Sequence, residues 1–183
     1  VVDIPKDITE DLCEFNYPES VSMRSYNPDI KVLDDDIDLA VKSILSCEKP
    51  VIYAGGGVIN SNASQELTDL AKYLNFPVTN TLMGLGCFPG NDEQFIQMLG
   101  MHGSYEANMA MHDCDLLIAV GARFDDRITG RLDKFSPDAT VIHIDVDPSS
   151  ISKNIKAHIP IVGDVKDAVN QISKKIVQKN LKP

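Results

Sequence analysis

The sequence predicts an α/β fold in which a parallel sheet is flanked by helices on both faces, as a three-layer domain. Short apolar runs rich in β-branched residues, with the length of buried strands, alternate with stretches whose apolar residues recur at helical spacing. Glycine or a carboxylate follows almost every such run, as is typical of the carboxyl ends of parallel strands. At 183 residues the chain is long enough for one such domain and an appendage.

The elements are predicted in chain order. The first helix covers 34–45, where three aspartates precede an apolar stripe. Strands are predicted at 50–54, 77–81, 116–121, 140–146 and 159–163. Further helices are predicted around 64–74 and 105–111, as a short piece near Pro148, and over 165–177. Right-handed crossovers between these strands would bring all the strand-to-helix loops to one edge of the sheet.

Residues 1–31 are predicted to lie outside this domain, which then spans 32–183. From Asp7 to Lys31 the prolines, tyrosines and small polar residues show little periodicity, which indicates an extended connecting segment. The first residues, VVDIPKDI, read as the middle of a strand and lack a methionine. We therefore expect an excised or processed piece of a longer chain.

The composition argues against several classes of function. Hydrophobic residues make up 43% and charged residues 24%, a globular balance that argues against disorder. The net charge is -10 and only SKKIVQKNLK approaches a basic stripe, so no nucleic-acid partner is expected. No apolar run approaches the length of a membrane span, so we expect a soluble protein without a membrane partner.

The chain also lacks the usual signatures of catalysis and metal binding. Its four cysteines and four histidines have no metal-ligand spacing, so no metal site is expected. Because no secretory signal is visible, we expect the cysteines to be reduced thiols in a cytosol-like compartment. No GxSxG, HExxH or GxxxxGK[ST] sequence occurs. The chain is expected to hold a ligand rather than to supply a nucleophile.

Strand-end loops define one candidate site. Because ligands of open α/β sheets bind at the carboxyl ends of strands, these loops should converge. They are GGG (55–57), TLMGLG (81–86), GARFDDR (121–127), DVDP (145–148) and GDV (163–165). A further stretch, MLGMHG (98–103), offers glycines and a methionine that suit a planar ring, or forms only a tight turn.

The glycine triplet and the charged loop each have two interpretations. The triplet suits the approach of a pyrophosphate, but Asn60 stands where a GxGxxG fingerprint needs its third glycine, so a purely structural turn is equally open. Arg123 and Arg127 match phosphate oxygens, with Asp125 and Asp126 orienting them or binding hydroxyls. The alternative is a solvated loop with weak salt bridges.

The remaining aspartates are similarly ambiguous. Asp145, at the end of a predicted strand, could accept hydrogen bonds from ribose hydroxyls. Asp147 is better explained as the cap of the short helix near Pro148. Asp164 is interpreted as a helix N-cap, a ribose ligand, or both.

In order along the chain, several stretches resemble the central domain of acetolactate synthase (acetohydroxyacid synthase) large catalytic subunits. They are KPVIYAGGGV, FPVTNTLMGLGCFPG, MLGMHGSYEANMAMHDCDLLIAVG, GARFDDRITGRLDKFSP, VIHIDVDPSSISKNI and VGDV. The resemblance runs from about Lys49 to the last helix, and VVDIPKDI resembles the last strand of the preceding pyrimidine-binding domain. It implies a Rossmann-like domain that binds FAD.

The family's enzymes depend on thiamine diphosphate and Mg²⁺. They condense two pyruvates, or pyruvate and 2-oxobutyrate, with decarboxylation, in isoleucine and valine biosynthesis. The implied partners are the flanking pyrimidine-binding and diphosphate-binding domains, further copies of the catalytic subunit, and a regulatory small subunit. The implied compartment is the cytoplasm of a bacterium, or an organelle of a eukaryote.

The resemblance also implies which residues contact FAD. They are Gly55, Gly56, Gly57, Thr81, Leu82, Leu99, Gly100, Met101, His102, Gly121, Ala122, Arg123, Phe124, Asp125, Arg127, Asp145, Val146, Asp164 and Val165. Asp126 and Arg127 match positions that approach the family's herbicide-binding channel. No catalytic residue is assigned, because the activating glutamate would lie before Val1 and Gly163-Asp164 continues as Val165 rather than as the thiamine-binding GDG. The fragment alone is expected to be inactive.

Three alternative functions stay open. The chain could be the central domain of another thiamine-diphosphate enzyme, of the pyruvate oxidase or oxalyl-CoA decarboxylase type, which hold FAD or ADP there. It could be a free-standing NAD-dependent dehydrogenase, against which Asn60 and the absence of an acidic residue after PVTNT argue. It could also be a scaffold domain without a ligand.

Overall fold

The computed structural model describes residues 3–21 and 30–178 and contains one six-stranded parallel sheet. Its strands are β1 (Pro50–Ala54), β2 (Val78–Asn80), β3 (Phe95–Met98), β4 (Leu116–Val120), β5 (Thr140–Asp145) and β6 (Ile159–Val162). They lie in the order β3-β2-β1-β4-β5-β6. The chain therefore winds outward in both directions from the β1–β4 pair, where the loops diverge and an open crevice forms at the carboxyl edge.

Helices cover both faces of the sheet, which confirms the predicted α/β three-layer fold. They are α1 (Lys6–Glu10), α2 (Asp34–Ser46), α3 (Gly56–Asn60), α4 (Ser64–Leu74), α5 (Tyr105–Asp113), α6 (Asp126–Thr129) and α7 (Val165–Gln178). Short 3-10 turns occur at Leu82–Gly84 and Leu132–Lys134. No helix within the described ranges is both long and apolar enough to cross a membrane.

The two faces of the sheet carry separate cores. On β4, Leu116, Ile118 and Val120 pack in the first core with α2, α3, α4 and α7. Leu117 and Ala119, which alternate with them, pack in the second core with α5 and the loops after β4 and β5. Because a core covers each face of the sheet, every residue of β4 is buried although its side chains point alternately to opposite faces.

Most predicted elements are confirmed to within a few residues, and the exceptions have local causes. β3 was not predicted; it is an edge strand that is only partly buried, and its pairing with β2 shifts register beside Gln97, whose φ is 69°. The helix predicted near Pro148 is wrong, because residues 148–150 form turns. Asp147 bonds Ser149 and Ser150 there through its side chain, which competes with helix formation.

The N-terminal residues differ in part from the prediction. Residues 3–5 form no strand, and α1 interrupts the segment predicted to be extended. Residues 3–21 are exposed throughout. The described residues do not include Val1, Val2, 22–29 or 179–183. The end of the lysine-rich stretch SKKIVQKNLK lies in the last of these ranges. The division of the chain at residue 31 stays a prediction.

Asp115 joins the amino ends of β1 and β4. Its carboxylate accepts hydrogen bonds from the backbone N–H groups of Glu48 (2.7 Å) and Lys49 (2.9 Å). Asp115→Ala should lower the free energy of unfolding by about 2 kcal/mol, because two charge-assisted hydrogen bonds are lost. Urea titration measures the effect. Asp138→Ala, at an exposed aspartate, is the control, and equal losses in the two variants would contradict this role.

Candidate functional site

The loop after β1 packs directly against the loop after β4. The N–H of Gly55 donates to Val120 O (2.9 Å), and the N–H of Gly57 donates to Gly121 O (3.0 Å). A Cβ on Gly55 would lie 2.2 Å from Gly121 O, and one on Gly57 would lie 2.6 Å from Gly121 Cα. The structural interpretation therefore accounts for Gly55 and Gly57, whose N–H groups are taken by neighbouring backbone.

Above these two loops lies a cavity of about 560 Å³, the central cavity. It opens at the carboxyl edge where the strand order reverses, so it occupies the position predicted for the site. Its lining consists of Gly56, Gly57, Ile59, Asn60, Thr81, Met83, Gly121, Ala122, Arg123, Asp125, Asp145 and Val146. Loops after four different strands thus meet in one place.

A smaller cavity of about 190 Å³ adjoins the central cavity and extends it toward β6. The smaller one also reaches Asp164 and Val165, and the two share Gly57, Asn60, Gly121, Asp145 and Val146. Asp164 also caps α7, since its Oδ1 accepts the N–H of Asp167 (3.0 Å). The capping role of Asp164 is thereby confirmed, and its position beside the cavity leaves its other carboxylate oxygen a candidate acceptor.

Asp145 and Asp147 separate into different roles. Asp145 is only 8% exposed, lines both cavities, and accepts the N–H of Asp147 through Oδ1 (2.8 Å). Asp147 accepts the N–H and Oγ–H of Ser149 (both 2.9 Å), and these bonds hold the pKa of its carboxyl below the usual value. Asp147 therefore caps a turn, whereas Asp145 is the carboxylate that lines the cavities.

A third cavity of about 350 Å³ lies where the loop after β3 meets α6. Gly100 and Met101 line it together with Asp126 and Arg127. Met101 N donates to Arg127 O (3.2 Å), and Gly100, with φ at 97°, has room for no Cβ because Arg127 O would lie 2.8 Å away. The MLGMHG and RFDDR loops are thus in contact, as their convergence on one edge predicted.

Asn108 was not predicted, yet it shapes this third cavity. From α5 its Oδ1 accepts the N–H of Gly100 (3.0 Å), and its Nδ2 donates to Gly100 O (3.1 Å) and Ser104 O (2.8 Å). A single amide can satisfy both polar groups of one backbone residue in this way. An asparagine on a helix carries no sequence signal for this role, because its partner lies in the preceding loop.

The predicted residues do not all reach a cavity. Leu99 and Phe124 are buried in the second core, and Gly55 lies beneath the loop after β4. Leu82 and His102 are exposed but line none of the three cavities at this edge. Ile59, Asn60 and Met83 line the central cavity although they were not predicted as contacts. In the sequence, Asn60 stands out only because it occupies the third glycine position of the GxGxxG fingerprint.

Charge and apolar surface both face this edge. Arg123 Nη2 lies 3.3 Å from Asp125 Oδ2, and both side chains are more than half exposed, so the pair adds little to stability. Large apolar side chains stand exposed around the cavities, namely Leu82 (67%), Met83 (75%), Met101 (65%) and Val146 (58%). Three of these side chains line the same cavities as an arginine, Met83 and Val146 with Arg123 and Met101 with Arg127, so this edge offers both apolar surface and positive charge.

A cavity of about 540 Å³ lies at the opposite, amino edge of the sheet and contains none of the predicted residues. Cys47 is among its lining residues. Burial, helped by the nearby negative charge of Asp115, raises the pKa of the Cys47 thiol to about 11. The thiol is therefore protonated at neutral pH and is a poor nucleophile, so the carboxyl edge is the better candidate site.

His143 on β5 lies buried below the loop after β4. Burial lowers the pKa of its imidazole, against the opposing effect of the Asp145 carboxylate and the bond to Ala122 O. The unfolded chain therefore binds a proton more readily than the folded one as the pH falls below the ordinary value of 6.5. Stability contributed by neutral His143 is complete above that pH and is lost below it.

A pH series tests this assignment. Between pH 7 and pH 5 the wild-type chain should lose stability relative to His143→Phe, by at most about 1.4 kcal/mol per pH unit. Urea unfolding of both proteins across the range measures the difference, and other titrating groups cancel in the comparison. Parallel curves for the two proteins would show that His143 has an ordinary pKa in the folded state.

Comparison with known proteins gives the chain a family. The model of the family described as "Thiamine pyrophosphate enzyme, central domain" matches residues 37–172. The acetolactate synthase large subunit of Buchnera aphidicola subsp. Schizaphis graminum is 52% identical over 94% of this chain and 30% of its own length. The Haemophilus influenzae large subunit is 48% identical over 100% of the chain and 32% of its own length. The isozyme 3 large subunit of Escherichia coli is 50% identical over 98% and 32%. The chain thus spans about a third of the length of these curated relatives.

Proposed function

The chain belongs to the thiamine pyrophosphate enzyme central-domain family, and from that premise we propose that it is the FAD-binding central domain of an acetolactate synthase large subunit. The observation that carries the proposal is the run of cavities along the carboxyl edge, from Asp164 beside β6 to Met101 after β3. An elongated ligand with separate polar and apolar parts suits this shape.

The chemistry of the lining fits a flavin dinucleotide. Asp145, a nearly buried carboxylate that lines two cavities, would accept hydrogen bonds from ribose hydroxyls in this proposal. Arg123, in the central cavity, and Arg127, in the third, would neutralise the pyrophosphate in this proposal, since guanidinium groups match phosphate oxygens. Met83, Met101 and Val146 offer apolar surface to a planar ring.

In this proposal FAD takes no net redox part in the reaction, and this chain's residues bind and orient it. The parent enzyme condenses two pyruvates, or pyruvate and 2-oxobutyrate, with loss of carbon dioxide, in isoleucine and valine biosynthesis. Thiamine diphosphate and Mg²⁺ bind outside this chain, on flanking domains, so the chain alone is inactive. The large subunits named as relatives support this assignment, because each is about three times as long as the matched part.

Further parts of the proposal concern partners and compartment. We infer that copies of the catalytic subunit associate, and that a regulatory small subunit is a candidate partner, since the relatives are named large subunits. The named relatives are bacterial, which supports a bacterial cytoplasmic enzyme.

Titration with FAD tests the proposal. Flavin fluorescence and calorimetry should show saturable binding of one FAD per chain, and flavin colour should elute with the protein on gel filtration. ADP and NAD, run in parallel, should bind more weakly because they lack the flavin ring that the apolar side chains suit. Tighter binding of NAD would favour a dehydrogenase. Absence of FAD binding up to about 1 mM would contradict a cofactor-binding role for the chain.

A further inference from the structure

A buried histidine holds the loop that carries Arg123, here called the Arg123 loop (residues 121–125). His143 is fully buried on β5, and its Nε2 lies 3.0 Å from the carbonyl oxygen of Ala122. A carbonyl oxygen only accepts hydrogen bonds, so Nε2 must carry the proton and donate. Nδ1 has no hydrogen-bond partner among the described residues, and this tautomer is the one that leaves no ring N–H unpaired.

The loop is also fixed at a second point, around Phe124. The Phe124 ring lies 5.1 Å from the His143 ring, nearly perpendicular to it, and 5.8 Å from Tyr53. Asn154 Nδ2 donates to Phe124 O at 2.5 Å. Two carbonyls of the loop, at residues 122 and 124, are therefore each bonded by a side chain from another part of the chain.

The strand register explains why this arrangement forms on β4. Tyr53, Ala119 and His143 are aligned across β1, β4 and β5. Ala119 is the small member of the row, which leaves space above β4 for the Phe124 ring between its two larger neighbours. The loop consequently buries Ala122 and Phe124, whereas Arg123 and Asp125, which alternate with them, stay exposed and line the central cavity.

We propose that His143 is a positioning residue for the ligand: by donating from Nε2 to Ala122 O, it fixes the loop so that Arg123 and Asp125 face the central cavity. His143 lines none of the three cavities at this edge and so would act through the loop. The inference rests on the proposed function in that the ligand is taken to be FAD. Neither the resemblance nor the loop motif pointed to this residue.

Paired variants test the role of the N–H donor. His143→Phe keeps a planar ring but removes the donor, and His143→Gln keeps a donor on a smaller side chain. Ile142→Val, on the other face of the same strand, is the control for lost packing. We expect the Kd for FAD to rise about tenfold in His143→Phe, as for loss of one buried hydrogen bond, and to recover largely in His143→Gln. Ile142→Val should leave the Kd unchanged.

Amide hydrogen exchange provides a readout that needs no ligand. Exchange over residues 121–129 should speed up in His143→Phe and return toward the wild-type rate in His143→Gln. If the wild-type chain binds no FAD, the proposed function fails, while the exchange data still decide the role of His143 in the loop. Unchanged exchange and unchanged FAD affinity in His143→Phe would overturn the inference.

A measurement of the tautomer of His143 in the wild-type chain tests the inference even if the variants do not fold. Nitrogen-15 NMR of the 183-residue chain should show His143 neutral, protonated at Nε2 and hydrogen-bonded there. A proton on Nδ1, or on both ring nitrogens at neutral pH, would overturn the inference, because the bond to Ala122 O would then not be the one described.

Discussion

Replacing Gly55 with alanine should lower the free energy of unfolding by about 3 kcal/mol, a large effect for the addition of one methyl group. The new Cβ would lie 2.2 Å from Gly121 O, 2.6 Å from Ala122 Cα and 2.8 Å from Ala122 Cβ. Two of these atoms belong to the backbone and cannot rotate away. The loop after β4 must shift, which breaks the bond from Gly55 N to Val120 O.

Gly90→Ala is the matched control for Gly55→Ala. A Cβ at Gly90 would have Phe95 Cε1 as a neighbour at 3.9 Å, which is ordinary contact. Urea unfolding should place this variant within about 0.5 kcal/mol of the wild type. If Gly55→Ala loses as little stability as Gly90→Ala, alanine is tolerated at Gly55 because the two loops separate easily. Gly55→Ala should also weaken FAD binding, since the loop that moves carries Arg123.

Reversing the charge of Arg123 should weaken FAD binding about a hundredfold with little change in stability. In Arg123→Glu a guanidinium beside the proposed pyrophosphate is replaced by a carboxylate, so a charge-assisted contact becomes a repulsion. The arginine side chain is 71% exposed and its pair with Asp125 is long at 3.3 Å, so the fold loses little. Flavin fluorescence titration measures the affinity, and urea unfolding measures the stability.

Arg131→Glu provides the control for that reversal. Arg131 is another exposed arginine paired with the aspartate two residues later, here at 2.6 Å, and it changes the net charge equally. It lines none of the three cavities of the carboxyl edge. Arg131→Glu should therefore bind FAD nearly as the wild type does. Equal weakening in both variants would indicate a general charge effect rather than a contact at Arg123, and higher salt would then reduce both effects.

Most of the fold follows from local patterns. α2 and β4 were predicted because their apolar residues recur at the helical and buried-strand spacing and tertiary contacts reinforce that pattern. β3 was missed because a short edge strand has few buried positions to reveal it, and its register is irregular. The pattern at 148–150 suits a helix and a turn equally, because an aspartate followed by proline and serines occurs in both, and only the side-chain bonds of Asp147 distinguish them.

For the site, the chain's pattern sufficed to place the charged, glycine-rich loops at one edge, because parallel strands with right-handed crossovers put all such loops there. Asp145, Arg123 and Met101, which were predicted in this way as ligand contacts, line cavities at that edge, and their contact with a ligand stays a prediction. Which side chains reach a cavity depended on contacts between segments far apart along the chain. Such contacts include the close approach of Gly55 to Gly121, which leaves no room for a Cβ, and the burial of Phe124. They also include the hydrogen bonds from His143 and Asn154 to the loop after β4. Each arises from packing between a loop and a segment that is distant along the chain, on a strand or in another loop. The spacing of residues within one segment does not reveal which other segment packs against it.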